Sequence, residues 1–153
     1  MLGLRAGVRA WMELWKLLTP DVIVTDHAPT AVLAAQLAQI PNLPIGPGFC
    51  VPLCADPMPA FKFEHRDMEA ALRAADARVL PAINEVAQDF GRAAFASVAE
   101  VFENPNALVT SFPELDPFGP RENAHYIGPI TAPGRYRKVE WLGQRLRRVF
   151  VYL

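Results

Sequence analysis

Apolar residues near the start of the chain return every three or four places, at Leu4, Val8, Trp11, Trp15 and Leu18. That spacing predicts an amphipathic helix with both indoles on or near one stripe. Thr19-Pro20 stops it. The run VIV at 22–24 is β-branched and bounded by polar residues, which predicts a strand over 22–25 buried on both faces of a parallel sheet. Pro29 suits a first helical turn, and the helix it opens turns Val32, Leu33, Leu37 and Ile40 inward and Gln36 and Gln39 outward. Beyond Pro41 a second strand is predicted over 43–46. It runs into the loop GPGFCVPLCADPMPAF, which is long for a plain connection.

A further helix is predicted from about Arg66, with Met68, Leu72, Ala75 and Val79 inward and Glu69 paired to Arg73 one turn on. Pro81 is expected to kink or restart it, giving a second stretch to Phe90. A shorter helix is placed over 93–102. Asn104-Pro105-Asn106 then turns the chain into a third strand over 108–110, and a fourth follows over 125–127. Strands that alternate with helices indicate an α/β fold with a parallel sheet. The terminal RVFVYL also has strand character, and a final strand with nothing after it is an unpartnered edge, as in an incomplete domain.

Composition narrows the function. With 153 residues, 52% of them apolar and 20% charged, the chain is long enough for one domain with a real core. A net charge of −1 supplies no field for nucleic acid or an acidic membrane. The basic stretch at 135–148 lacks base-stacking aromatics in order and is taken as a solvated linker, so no nucleic-acid partner is expected. Arg5, Arg9, Glu13 and Lys16 interrupt the uncharged core a signal peptide needs, and no run reaches the roughly 20 apolar residues of a membrane span. Cys50 and Cys54 give no disulfide framework, which fits the reducing cytoplasm. With His65 they fall short of the four ligands a zinc site uses, and no metal or other cofactor is expected.

Candidate chemistry begins at Asp26. It stands just past the carboxyl end of the first strand and just before a helix, where open parallel sheets place their ligand crevice. The same position suits a helix cap favoured by the helix dipole, and both readings stay open.

The order of PDVIVTDHAPTAVLAAQLAQIP, GPGFCVPLCADP, LVTSFPELDPFGPR, HYIGPI and RVFVYL resembles nucleotide-sugar glycosyltransferases of the two-domain GT-B type. The bacterial enzymes that glycosylate macrolides and flavonoids are the nearest in kind. The resemblance covers residues 20–153 and implies an incomplete doubly wound, Rossmann-like sheet. Residues 1–132 correspond to the C-terminal part of the acceptor-binding domain, 133–147 to the inter-domain linker and 148–153 to the first strand of a donor-binding domain.

The resemblance also implies the chemistry. Inverting sugar transfer needs a histidine base for the acceptor hydroxyl and a carboxylate behind it. Asp26 takes the carboxylate's place, while the base follows a first strand for which this chain shows no equivalent. His27, its neighbour on an extended segment, points elsewhere and is a crevice-lining candidate. Phe49, Cys50, Val51, Met58 and Phe61 become candidates for the wall of a hydrophobic acceptor site, against the plainer alternative of packing under a long loop. The nucleotide sugar is a co-substrate that requires the second domain. Two rivals remain: a noncatalytic α/β module that binds a small molecule or partner, and a flavodoxin-like domain, which would bind flavin.

Overall fold

Four short strands lie side by side in chain order, all parallel: β1 (Ile23–Thr25), β2 (Asn42–Gly46), β3 (Leu108–Val109) and β4 (His125–Tyr126). The computed structural model describes residues 2–60 and 68–131. Register aligns Val24 with Leu43, Ile45 with Leu108, and Leu108 with His125. The helices are α1 (Leu2–Leu18), α2 (Pro29–Ala38), α3 (Met68–Asp89) and α4 (Val98–Phe102). The result is an α/β, Rossmann-like open parallel sheet. The predicted linker at 133–147 and the strand at 148–153 lie outside the described residues.

Helix α2 is the centre of the core. Ala31, Val32, Leu33, Ala34, Ala35 and Leu37 are all buried, while Gln36 and Gln39 face outward as their polarity requires. Its alanines leave room for α1, whose Val8 and Trp15 enter the same core with Trp11 packed beside them. The two indoles stack at 5.9 Å, and Trp11 Nε1 donates to Thr30 Oγ1 at 3.3 Å. Past the last turn of α2, Gln39 takes the left-handed conformation and Ile40 N–H returns to the Ala35 carbonyl at 3.0 Å, so the chain reverses into β2.

Several expectations are corrected. Strand β1 is not buried on both faces: Ile23 packs on the helical core, while Val24 is 60% and Val22 54% exposed. Alternation sends neighbouring residues to opposite faces, and the described helices meet β1 on the Ile23 side. Leu18, at the end of α1, is exposed as well. Helix α3 passes unbroken through Pro81 instead of restarting there. Its buried residues, Ala82, Ile83, Val86 and Ala87, all follow the proline, and Val79 is exposed. Burial of that half outweighs the one backbone hydrogen bond that proline cannot make. Glu69 and Arg73 do pair, at 3.0 Å. Helix α4 is shorter than predicted because Ser97 caps it, accepting from Glu100 N–H at 3.2 Å.

Candidate functional site

Strands β1 and β2 end together, and the loops that leave their carboxyl ends enclose an apolar cavity of about 250 Å³. This is the edge at which parallel α/β sheets hold ligands. Five of the sequence candidates meet there: His27 from the β1 loop, and Phe49, Cys50, Val51 and Met58 from the loop after β2. Phe61 lies outside the described residues. Reading the sequence missed the rest of the lining, which includes Ala28, Pro29 and Val32 around the start of α2 and Pro52 in the loop after β2. Thr25 and Pro44 come from the strands, and Phe102 comes from the far end of α4. Nothing in its local sequence separates Phe102 from an ordinary helix-packing residue.

His27 has φ 46°, a left-handed conformation that is uncommon outside glycine and in which histidine is among the enriched residues. It carries the imidazole over the cavity, where the ring meets Phe49 edge-on at 4.4 Å between centroids. Thr25, only 5% exposed, donates its hydroxyl to Asn42 Oδ1 at 3.1 Å, so a buried polar group is satisfied within the sheet. Met58 N–H donates to Asp76 Oδ2 at 2.8 Å, which ties the far end of the loop to α3.

Asp26 is exposed and reaches across to the next loop. Its carboxylate accepts the Cys50 thiol, and burial, then the hydrogen bond and then the negative charge push that thiol up to about 11. A thiol so placed is a protonated wall group and a poor nucleophile at neutral pH. The contact exists because residue 46 is glycine. A Cβ on Gly46 would stand 2.6 Å from Cys50 Cβ and 2.9 Å from Asp26 Oδ1, and its φ of 147° is one that other residues rarely adopt. Asp26 does not cap α2. The N-cap is Ala28, with no side-chain cap hydrogen bond.

Two other groups able to do chemistry have plainer places. His125 Nε2 is 3.0 Å from the Pro105 carbonyl on an exposed surface. Cys54 is a free thiol lining a wider groove of about 870 Å³, and that groove shares Val51, Pro52 and Phe102 with the apolar cavity. Among the described residues no group of three or more His, Cys, Asp or Glu is placed to hold a metal ion. Neither is any described helix long and apolar enough to cross a membrane.

Fold and cavity define the class: an α/β protein with an open, all-parallel sheet and an apolar recess at the carboxyl ends of two adjacent strands. No protein-family model and no curated protein matches the chain.

Proposed function

We propose that this chain supplies the acceptor side of a hexosyl transfer from a nucleotide sugar to a hydroxyl of a small hydrophobic compound, as in the GT-B glycosyltransferases its motifs resemble. One observation carries the reading: an apolar cavity walled by His27, Phe49, Cys50, Val51 and Met58 lies at the carboxyl edge of a parallel sheet, and Asp26, which does not line it, meets the wall residue Cys50. Its volume, about 250 Å³, is a little below the ~300–1,000 Å³ of drug-sized sites and suits one small ring system. An acceptor ring lies against Phe49 and Met58 with its hydroxyl toward the carboxyl edge. There a histidine base takes the proton as the anomeric carbon is attacked, and Asp26 orients that base and balances the imidazolium charge.

The base and the nucleotide-sugar site belong to parts of the family's architecture that this chain does not match. The chain alone therefore binds acceptor and transfers no sugar. Holding donor and acceptor in register accounts for roughly 7–11 kcal/mol of such a barrier, and a general base for a further factor of about 10²–10⁴. The test incubates the chain with several nucleotide sugars and a panel of hydrophobic phenols and alcohols, following product by mass spectrometry and acceptor binding by ligand-observed NMR. Binding without product is the expected result. Failure to bind any member of the panel overturns the acceptor-site reading, and turnover abolished by Asp26→Asn overturns the dependence on a further domain.

A second reading, a noncatalytic binding module, is favoured by one detail: the described partner of Asp26 is a thiol, not an imidazole. It predicts the same binding but no transfer even when both the first-strand segment that carries the histidine base and a GT-B donor domain are supplied in trans.

A further inference from the structure

The loop after β2 brings Phe49, Cys50 and Val51 to the cavity, and a tight turn is its first hold. Cys50 and Val51 N–H both donate to the Pro47 carbonyl, at 2.8 and 3.1 Å. A second hold comes from the far end of the sequence. Asp116, its side chain fully buried, follows a 3-10 turn at Pro113–Leu115. Its Oδ1 accepts from Phe118 N–H at 3.0 Å and from Arg121 Nη2 at 3.1 Å. Its Oδ2 accepts the Tyr126 hydroxyl at 2.8 Å and has Arg121 Nε at 2.9 Å, although that N–H is not aimed well enough for a hydrogen bond.

With both carboxylate oxygens engaged, the guanidinium plane is fixed and its other donors point at the loop. Nη1 donates to the Val51 carbonyl at 2.9 Å and Nη2 to the Gly48 carbonyl at 3.5 Å. Contact is close enough that a side chain at residue 48 has no room: a Cβ there would stand 2.7 Å from Asp116 Oδ1 and 3.0 Å from Arg121 Nη2. A buried ion pair contributes little net stability, because desolvation offsets most of the attraction. A planar fork does fix orientation, and this one reaches two carbonyls of one loop while a carboxylate holds its other edge.

We infer that Arg121 is a positioning residue for the apolar cavity: through the Gly48 and Val51 carbonyls it sets where Phe49, Cys50 and Val51 stand against His27 and Met58. The inference rests on the reading of this cavity as a ligand site. Arg121 itself does not line the cavity and acts through the loop.

Cys50 reports the loop's place without any ligand. A loop that relaxes toward solvent loses both the burial and the Asp26 contact that raise this thiol. In a Cys54→Ser background, the pH–rate profile of Cys50 alkylation by iodoacetamide is recorded beside the affinity for 1-naphthol, an uncharged bicyclic phenol. Arg121→Lys keeps the charge but replaces the fork by one donor centre. Tyr126→Phe removes only the hydroxyl that braces Asp116, and serves if the lysine variant does not fold. In variants that keep the wild-type circular dichroism, the profile moves to lower pH, alkylation at pH ~8.5 accelerates at least about tenfold, and 1-naphthol binds about tenfold more weakly. An unmoved Cys50 profile in the folded variants overturns the inference. If the unaltered chain binds no 1-naphthol, the ligand-site reading fails and the cavity role with it, while the Cys50 profile still decides whether Arg121 places the loop.

Discussion

Replacing Asp26 by asparagine keeps the side chain's size and removes the negative charge beside Cys50. The thiol loses a charged hydrogen-bond acceptor and a charge that disfavours its thiolate, so it falls from about 11 toward its ordinary value. The sign for stability follows. A group raised on folding stabilises the folded chain fully below its unfolded value and ceases to do so as pH climbs through the folded one. Asp26→Asn brings the folded value nearer the unfolded one, so the thiol-linked fall in stability at alkaline pH becomes shallower than in the unaltered chain, and an alkaline denaturation series beside the pH profile of Cys50 alkylation checks both effects. None of this was legible in the sequence. Asp26 could be placed at a strand end, but its meeting with Cys50 depends on the missing Cβ and the φ of Gly46, and a dihedral angle leaves no mark in a hydrophobic pattern.

At the scale of elements, burial separates residues that periodicity treats alike. Leu33 and Val24 both sit in apolar runs, yet Leu33 is 2% and Val24 60% exposed. Leu33→Ala is expected to cost about 2–5 kcal/mol and Val24→Thr less than about 0.5, measured by urea denaturation. Pro81 supplies the opposite case. It is exposed within a continuous helix, so Pro81→Ala loses no packing and restores a donor, and a gain of about 1–3 kcal/mol is expected in the same experiment. The first strand and the helix over 29–38 were readable because a β-branched run marks one and Pro29 in a first helical turn marks the other, while the later strands were placed by the proline and turn residues that bound them. Which half of α3 faces the core was not. Apolar residues recur on both sides of Pro81, and only the docking of α1 and α4 selects Ile83 and Val86 over Val79. The candidate site shows the same division. Strand-end loops announced His27 and Phe49, whereas Phe102 arrives through the packing of α4 on α2.

The molecule as a whole is linked across its sheet by Asp116. Burial alone would raise its carboxyl, but the Phe118 N–H, the Arg121 and Tyr126 hydrogen bonds and the Arg121 charge overcome this and hold it below the usual carboxylate range. A carboxyl lowered on folding stabilises above its unfolded value, near 4, and stops doing so as pH falls through the folded one. Acid unfolding thus includes release of the loop after β2. Asp116→Asn leaves Arg121 buried without its counter-charge, so a loss of about 3–5 kcal/mol is expected at pH 7, with a shallower fall in stability below pH ~4 than in the unaltered chain. Urea midpoints across the acid range test both parts.

The cavity's two sides differ in what holds them. Val32 belongs to a helix buried on nearly every side, whereas Cys50 and Val51 sit in a loop held by the Pro47 carbonyl, by Arg121 and by the contact of Cys50 with Asp26. Amide hydrogens of α2 should therefore exchange with deuterium only when the entire chain opens, and those of Cys50 and Val51 through local excursions that leave the core intact. A compound seated in the cavity would slow the second group far below the dose at which it alters the first. Occupancy and global stability can then be followed on separate amides of one sample, with no need for the compound to be coloured, fluorescent or turned over.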